Sequence, residues 1–172
     1  MKQESIKGRD IKEALVTLLR GKYGKKCKYY SRQVTEGMLL PAFFVDVRLV
    51  QQRDETINVV SKQFSCRIMY FQVDPTADDA EADQYKKIEE ILSLLVCIDS
   101  KRNPKGNMIL KVKDRYLTVN ECGVDYIGRE NNIMELGFML QFYDFKEATK
   151  QDEDELMEEL VFRSKTNEWE ES

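Results

Sequence analysis

Histidine does not occur in this chain of 172 residues. That removes the commonest general base at neutral pH, and with it Cys-His and Ser-His nucleophilic pairs. The four cysteines, Cys27, Cys66, Cys97 and Cys122, lie far apart and form no CxxC pair. A zinc site would have to be built from thiolate and carboxylate alone, so the expectation is reduced, packed thiols and no bound metal. No GxxxxGK(S/T) phosphate loop, GxGxxG turn or GxSxG elbow is present, and no nucleotide or other cofactor is implied. No apolar run approaches the roughly 20 residues of a membrane span. The opening MKQESIKGRD has no apolar signal region, so the expectation is a protein made and kept in the cytosol, without a membrane partner.

What is present is the composition of a globular protein, 42% hydrophobic and 34% charged. The length suits one core with an appendage. The net charge of −4 is unevenly spread. Residues 146–172 hold four basic and ten acidic residues, a balance of −6, which leaves 23 basic against 21 acidic, or +2, for the remainder. The division expected is a domain over 1–145 and an acidic extension over 146–172. Neither part has the strongly basic face that sequence-independent DNA binding requires.

The most informative stretch is Met38 to Phe71. Two runs of β-branched and aromatic residues flank Gln51-Gln52-Arg53-Asp54-Glu55-Thr56, which predicts a long antiparallel hairpin over about 42–71. Phe43, Val45, Val47 and Leu49 share one face of the first strand, and Phe64, Cys66, Ile68 and Tyr70 share one face of the second. Pro41 marks the start of the first strand. Such a hairpin is not stable alone, and its apolar face needs helices to cover it.

The covering helices are readable on either side. An N-terminal helix is expected from about Ser5 or Asp10 to Arg20, with Asp10 and Glu13 at capping-box spacing, a stripe of Ile11, Leu15, Leu18 and Leu19, and stops at Gly21 and Gly24. A central helix is expected to open at Asp74-Pro75-Thr76, with acidic residues in its first turns and a stripe of Tyr85, Ile88, Ile91, Leu92 and Leu95. Between the first helix and the hairpin, Lys22, Lys25, Lys26 and Lys28 precede a short strand at Lys28–Ser31. Lysine on an edge strand guards against mispairing, and the alternative is a phosphate-contacting patch.

After the polar loop Ser100–Asn107, strands are expected at Met108–Val112, Arg115–Val119, about Gly123–Gly128 and Ile133–Phe145, the last pair joined at Arg129–Asn132. Met134, Leu136, Phe138, Leu140 and Phe142 alternate without a break. The fold class is therefore α+β, with an antiparallel or mixed sheet of about four to six strands. Past Phe145 a short acidic helix around Asp154–Phe162 is expected, with Leu156, Met157, Leu160 and Val161 as its apolar side.

One enzymatic reading is available: a metal-dependent nuclease using Asp46 with Glu55 or Asp54. Asp46 and the tip acids are separated by about 25–30 Å of extended chain at ~3.3 Å per residue, and solvated strand and turn positions explain them more simply.

The ordered set of a short N-terminal helix, Glu36-Gly37, Leu40-Pro41-Ala42-Phe43-Phe44-Val45, a hairpin ending Phe64–Phe71, an amphipathic helix and Val112-Lys113-Asp114-Arg115-Tyr116-Leu117 resembles the tail terminator, or tail completion, proteins of long-tailed bacteriophages and related prophage elements. It spans most of residues 5–145. The resemblance implies a non-enzymatic virion protein, assembled in the host bacterial cytoplasm, that caps the head-proximal end of the tail tube as a hexameric ring. Its implied partners are further copies of itself, the tube protein and the head connector, with DNA only passing through the lumen. A head-side connector or neck protein is the alternative. From exposure and pattern, Val50, Gln52, Arg53, Glu55 and Ile57 near the hairpin tip, with Arg115 and Tyr116, are the expected contact residues.

Overall fold

Unbroken alternation over thirteen residues is what the two central strands share, and it dictates a sheet with one greasy face. The computed structural model describes residues 4–30, 37–74, 76–95, 108–127 and 133–146. Its elements are α1 (Gly8–Tyr23), a single 3-10 turn (Gly24–Lys26), β1 (Lys28–Tyr30), β2 (Ala42–Asp54), β3 (Val59–Phe71), α2 (Ala80–Leu95), β4 (Ile109–Val112), β5 (Arg115–Ile127) and β6 (Ile133–Phe145). The strands form one six-stranded sheet in the order β1-β2-β3-β6-β5-β4. β1 runs parallel to β2, and every other pair is antiparallel. The α+β class and the long hairpin are as the sequence suggested.

β3 and β6 pair along their whole length, from Val59 opposite Phe145 to Phe71 opposite Ile133. On the inner face Phe64, Cys66, Ile68 and Tyr70 of β3 and Met134, Leu136, Phe138, Leu140 and Phe142 of β6 are buried with Phe43 and Val45 of β2. Ile11, Leu15 and Leu19 of α1 and Ile88, Ile91 and Leu95 of α2 close over them in one core. Each such side chain contributes about 1.5–3 kcal/mol on leaving water. α1 lies against both β2 and β4, the second and sixth strands in the order, so the sheet curls around it. Tyr70 of β3 donates its hydroxyl to Asp83 Oδ2 of α2 at 2.9 Å, and between the helices the Lys87 ammonium sits 5.1 Å from the centre of the Tyr23 ring.

The start of α1 differs from the expected cap. Asp10 does not precede the helix but stands in its first turn, where its carboxylate accepts the Lys7 N–H at 2.8 Å. Gly8 lets the helix approach β3 closely, since a Cβ there would stand 3.2 Å from the Phe64 ring. The helix runs through Gly21 and stops at Gly24, whose φ of 55° is a conformation glycine adopts without strain. α2 begins later than expected, at Ala80. Asp74 instead closes a turn by accepting the Thr76 N–H at 2.9 Å. Its inward stripe is Gln84, Ile88, Ile91 and Leu95, while Tyr85 faces out and donates to Glu81.

Two β-bulges account for the other departures. On β2 the register slips between Leu49 and Gln51, and Leu49 is exposed where a core position was expected, because α1 begins above Val47 and Phe64 and does not reach it. On β5 the register slips between Asn120 and Gly123, with Glu121 at φ 50°. The two strands expected over 115–128 are therefore one bent strand. Cys27 and Cys66 are buried free thiols and Cys122 is partly buried. Among the described residues no helix is long and apolar enough to cross a membrane. Cys97, the loop Ser100–Asn107, the turn Arg129–Asn132 and the helix expected at Asp154–Phe162 lie outside the described residues, as does the extension beyond Lys146.

Candidate subunit interface

The hairpin tip is a projection braced by hydrogen bonds and an ion pair. Beyond the bulge, Gln52 stands opposite Lys62, Arg53 opposite Ser61 and Asp54 opposite Val60. The N–H groups of Glu55 and Thr56 both donate to the Val59 carbonyl, at 3.0 and 3.1 Å, and Val59 N–H donates to the Thr56 hydroxyl at 3.1 Å. Lys146, at the end of β6, anchors the tip from the side, with its backbone N–H on Asn58 O at 3.0 Å and its ammonium on Asp54 at 2.9 Å. These bonds order the turn, yet Ile57 is 87% exposed and Val50 57%. Exposed apolar side chains on an ordered turn make the tip a candidate for contact with another molecule.

Behind the tip the inner face turns polar. Lys62 and Asp144 occupy inward positions on β3 and β6, and their ammonium and carboxylate meet at 2.9 Å. Lys62 also donates to Ser5 Oγ at 2.8 Å and to Ile6 O at 3.1 Å. Asp144 further accepts from Ser5 Oγ at 2.9 Å, Ile6 N–H at 2.8 Å and Arg115 at 2.9 Å. Burial alone would raise the Asp144 pKa, but the bonds from Lys62, Ser5 and the Ile6 N–H outweigh it, and the carboxyl is held below its usual value. The Arg115 guanidinium lies 5.4 Å from the centre of the Phe142 ring, which itself stacks on Phe64. This network pins the N-terminal segment, β3, β5 and β6 together behind the tip.

The expected contact residues thus collect at one end of the sheet. Val50, Gln52, Arg53, Glu55 and Ile57 are on the tip, and Arg115 and Tyr116 open β5 beside the end of β6. Arg115 commits its guanidinium to Asp144 within the chain, leaving 18% of its side chain exposed. Tyr116 is 40% exposed, with the Lys111 ammonium 5.8 Å from its ring centre. Lys62 and Asp144 were not picked out from the sequence. Their signal was available: each is a lone charge at an inward position of an apolar alternation.

The outer face of the sheet is not covered by either helix. On it Arg67 donates to Asp46 at 2.8 Å and lies 3.9 Å from Glu135, while Arg48 approaches Asp46 from the same strand at 2.8 Å. Burial would raise the Asp46 pKa, but the two arginines lower it overall. Asp46 therefore ties strands together, and it is remote from Asp54 and Glu55 at the far end of β2. Among the described residues no group of carboxylates and thiols is placed to hold a metal ion. Further along this face Gly137 of β6 stands directly opposite Gly123 of β5, and nothing lies within 4 Å of a Cβ placed on either. They floor a depression of about 410 Å³ whose rim includes Arg67, Glu121, Asp125, Glu135 and Met139.

A braced tip, a sheet face left open and an internally neutralised charge network offer no catalytic arrangement among the described residues, and comparison with protein families says what kind of protein carries them. A family described as phage tail terminator protein matches residues 10–152. The chain belongs to the phage tail terminator family. No curated protein matches the chain. As a terminator it is a structural, tail-completion component of the virion. The matched span takes in every described element from the first turn of α1 to the end of β6.

Proposed function

We propose that this terminator closes a ring, of six subunits, on the head-proximal end of the tail tube, ends tube polymerisation there and offers the surface that joins the head connector. It does so without catalysis, after assembly in the host bacterial cytoplasm, and DNA meets it only in the lumen. The observation that carries the reading is the hairpin tip: an ordered turn, braced by Lys146, that presents Ile57 to solvent. Val50, Gln52, Arg53, Glu55, Ile57 and Tyr116 form the contact surface, and Arg115 supports it through Asp144. Residues 146–172 act as an acidic extension of a domain that ends at Phe145.

Light scattering on the purified protein, alone and mixed with tube protein, tests this. The expected result is a six-subunit species and tubes that are shorter in its presence. A strict monomer that neither caps nor shortens tubes refutes it. Binding to the head connector with no effect on tubes assigns the chain to the neck instead.

A further inference from the structure

Two charged surfaces of this chain include groups with no ion-pair partner among the described residues. From Glu13 to Glu36 no acidic residue intervenes, while Lys22 in the last turn of α1 and Lys25, Lys26 and Lys28 just past it follow one another. All four are exposed, and Lys25, Lys26 and Lys28 have no ion-pair partner among the described residues. Lys22 complements the helix C-terminus and Lys28 guards the β1 edge. Neither reason covers Lys25 and Lys26 in the 3-10 turn.

The second surface is the glycine-floored depression on β5 and β6. Its rim carries Glu121, Asp125 and Glu135 against one cation, Arg67, which Asp46 and Glu135 already engage. Glu121 and Asp125 have no ion-pair partner among the described residues. Because Gly123 and Gly137 leave the floor bare, a long side chain from outside meets open β-sheet backbone there.

We infer that the lysine corner of one copy docks into the depression of the next, the aliphatic stems of Lys25 and Lys26 lying over Gly123 and Gly137 and their ammonium groups reaching Glu121 and Asp125. The shapes suit each other, since lysine lays its stem along a surface and keeps its charge at the rim. The occupant is a second copy because residues 1–145 are nearly charge-balanced, 23 basic to 21 acidic: the surplus of each sign is set apart on one chain. The corner borders β1, the first strand in the order, and the depression lies on the fourth and fifth, so the surfaces sit on opposite flanks. Two different patches meeting head to tail make a heterologous contact, the kind that closes a ring. The inference rests on the ring proposed above and names two surfaces, apart from the hairpin tip, that meet in it.

Charge reversal on the full-length chain tests it by sedimentation velocity. Lys25→Glu with Lys26→Glu, and separately Glu121→Lys with Asp125→Lys, should each weaken self-association by roughly tenfold or more, and the four changes together should restore it. Wild-type association should also weaken as salt rises. The positions are exposed, so unchanged thermal unfolding of each variant separates loss of contact from loss of fold. If the wild type assembles and either reversal leaves assembly undiminished, or the fourfold swap is no better than its halves, this pairing is wrong and the ring stands. A wild type that is monomeric at every concentration overturns both. If changing Glu153, Glu155, Glu158 and Glu159 together to Gln reproduces the corner phenotype while the rim reversal has no effect, the corner's partner is the acidic extension and the pairing falls.

Discussion

Asp144→Ala is the substitution with the largest expected cost outside the apolar core. The carboxylate is 1% exposed and receives charge-assisted bonds from Lys62 and Arg115, with further bonds from Ser5 and the Ile6 N–H. Its removal leaves Lys62, 11% exposed, with only a hydroxyl and a carbonyl for company. Breaking a buried pair in this way costs about 3–5 kcal/mol, a third or more of the total stability of many domains. Lys62→Met should cost less, about 2 kcal/mol, because Asp144 then keeps Arg115, Ser5 and the Ile6 N–H. Arg115→Ala should cost least, about 1 kcal/mol, since Lys62 still neutralises the carboxylate. The double variant Lys62→Met with Asp144→Leu should recover much of the loss, because a packed apolar pair replaces an ion pair at little cost. Urea unfolding followed by far-UV circular dichroism at pH 7, at concentrations where the chain is dissociated, measures all four. The folded carboxyl has a lower pKa than the value of 3.8 expected for the unfolded chain, so acid favours unfolding. This contribution is present in full above that value and is lost as pH falls through the folded pKa. Asp144→Asn should flatten that acid limb. If Asp144→Ala unfolds within about 1 kcal/mol of wild type, or if the three single changes rank otherwise, the account of the network is wrong.

Ile57→Asp should leave stability within about 0.5 kcal/mol of wild type, since nothing is buried there, yet abolish tube shortening; retained capping, seen by negative-stain microscopy as tubes shortened as much as by wild type, would remove the tip from the contact surface. Burial pushes the Cys66 thiol up to about 12, so in the folded protein it should stay unmodified by a thiol-reactive dye at pH 8 and react only at the rate of unfolding; mass spectrometry of modified peptides shows which. Gly24→Ala should destabilise by about 1 kcal/mol through its positive φ alone, measured by the same urea titration, and a neutral result would mean that the α1 terminus relaxes.

Periodicity carried the reading of β3 and β6 because each keeps one phase from end to end. It faltered where a bulge shifts the phase. On β5 the inward positions are Leu117 and Val119 before the bulge and those opposite Leu136 and Met134, Val124 and Tyr126, after it. One strand then looks like two. The same shift on β2 moves the inward set from Val47 and Leu49 to Gln52 and Asp54. That β6 lies between β3 and β5 was not legible, because strand pairing between Phe71 and Ile133 leaves no local pattern. Alternation marks Lys62 and Asp144 singly as inward charges, but not as partners: they are diagonal neighbours across two strands remote in sequence. The tip residues were legible as polar and β-prone; the bracing by Lys146 was not.

Placing β6 at the centre of the sheet has a consequence for biosynthesis. The strand that completes the middle of the sheet leaves the ribosome after every other described strand, so a nascent chain shows the full bare edge of β3 until residue 145 has emerged. Ser5 and Ile6, made first, find their partner Asp144 only then. Premature stop codons upstream of β6 therefore yield no partial subunit with a finished hairpin platform, only chains that a chaperone or protease must clear.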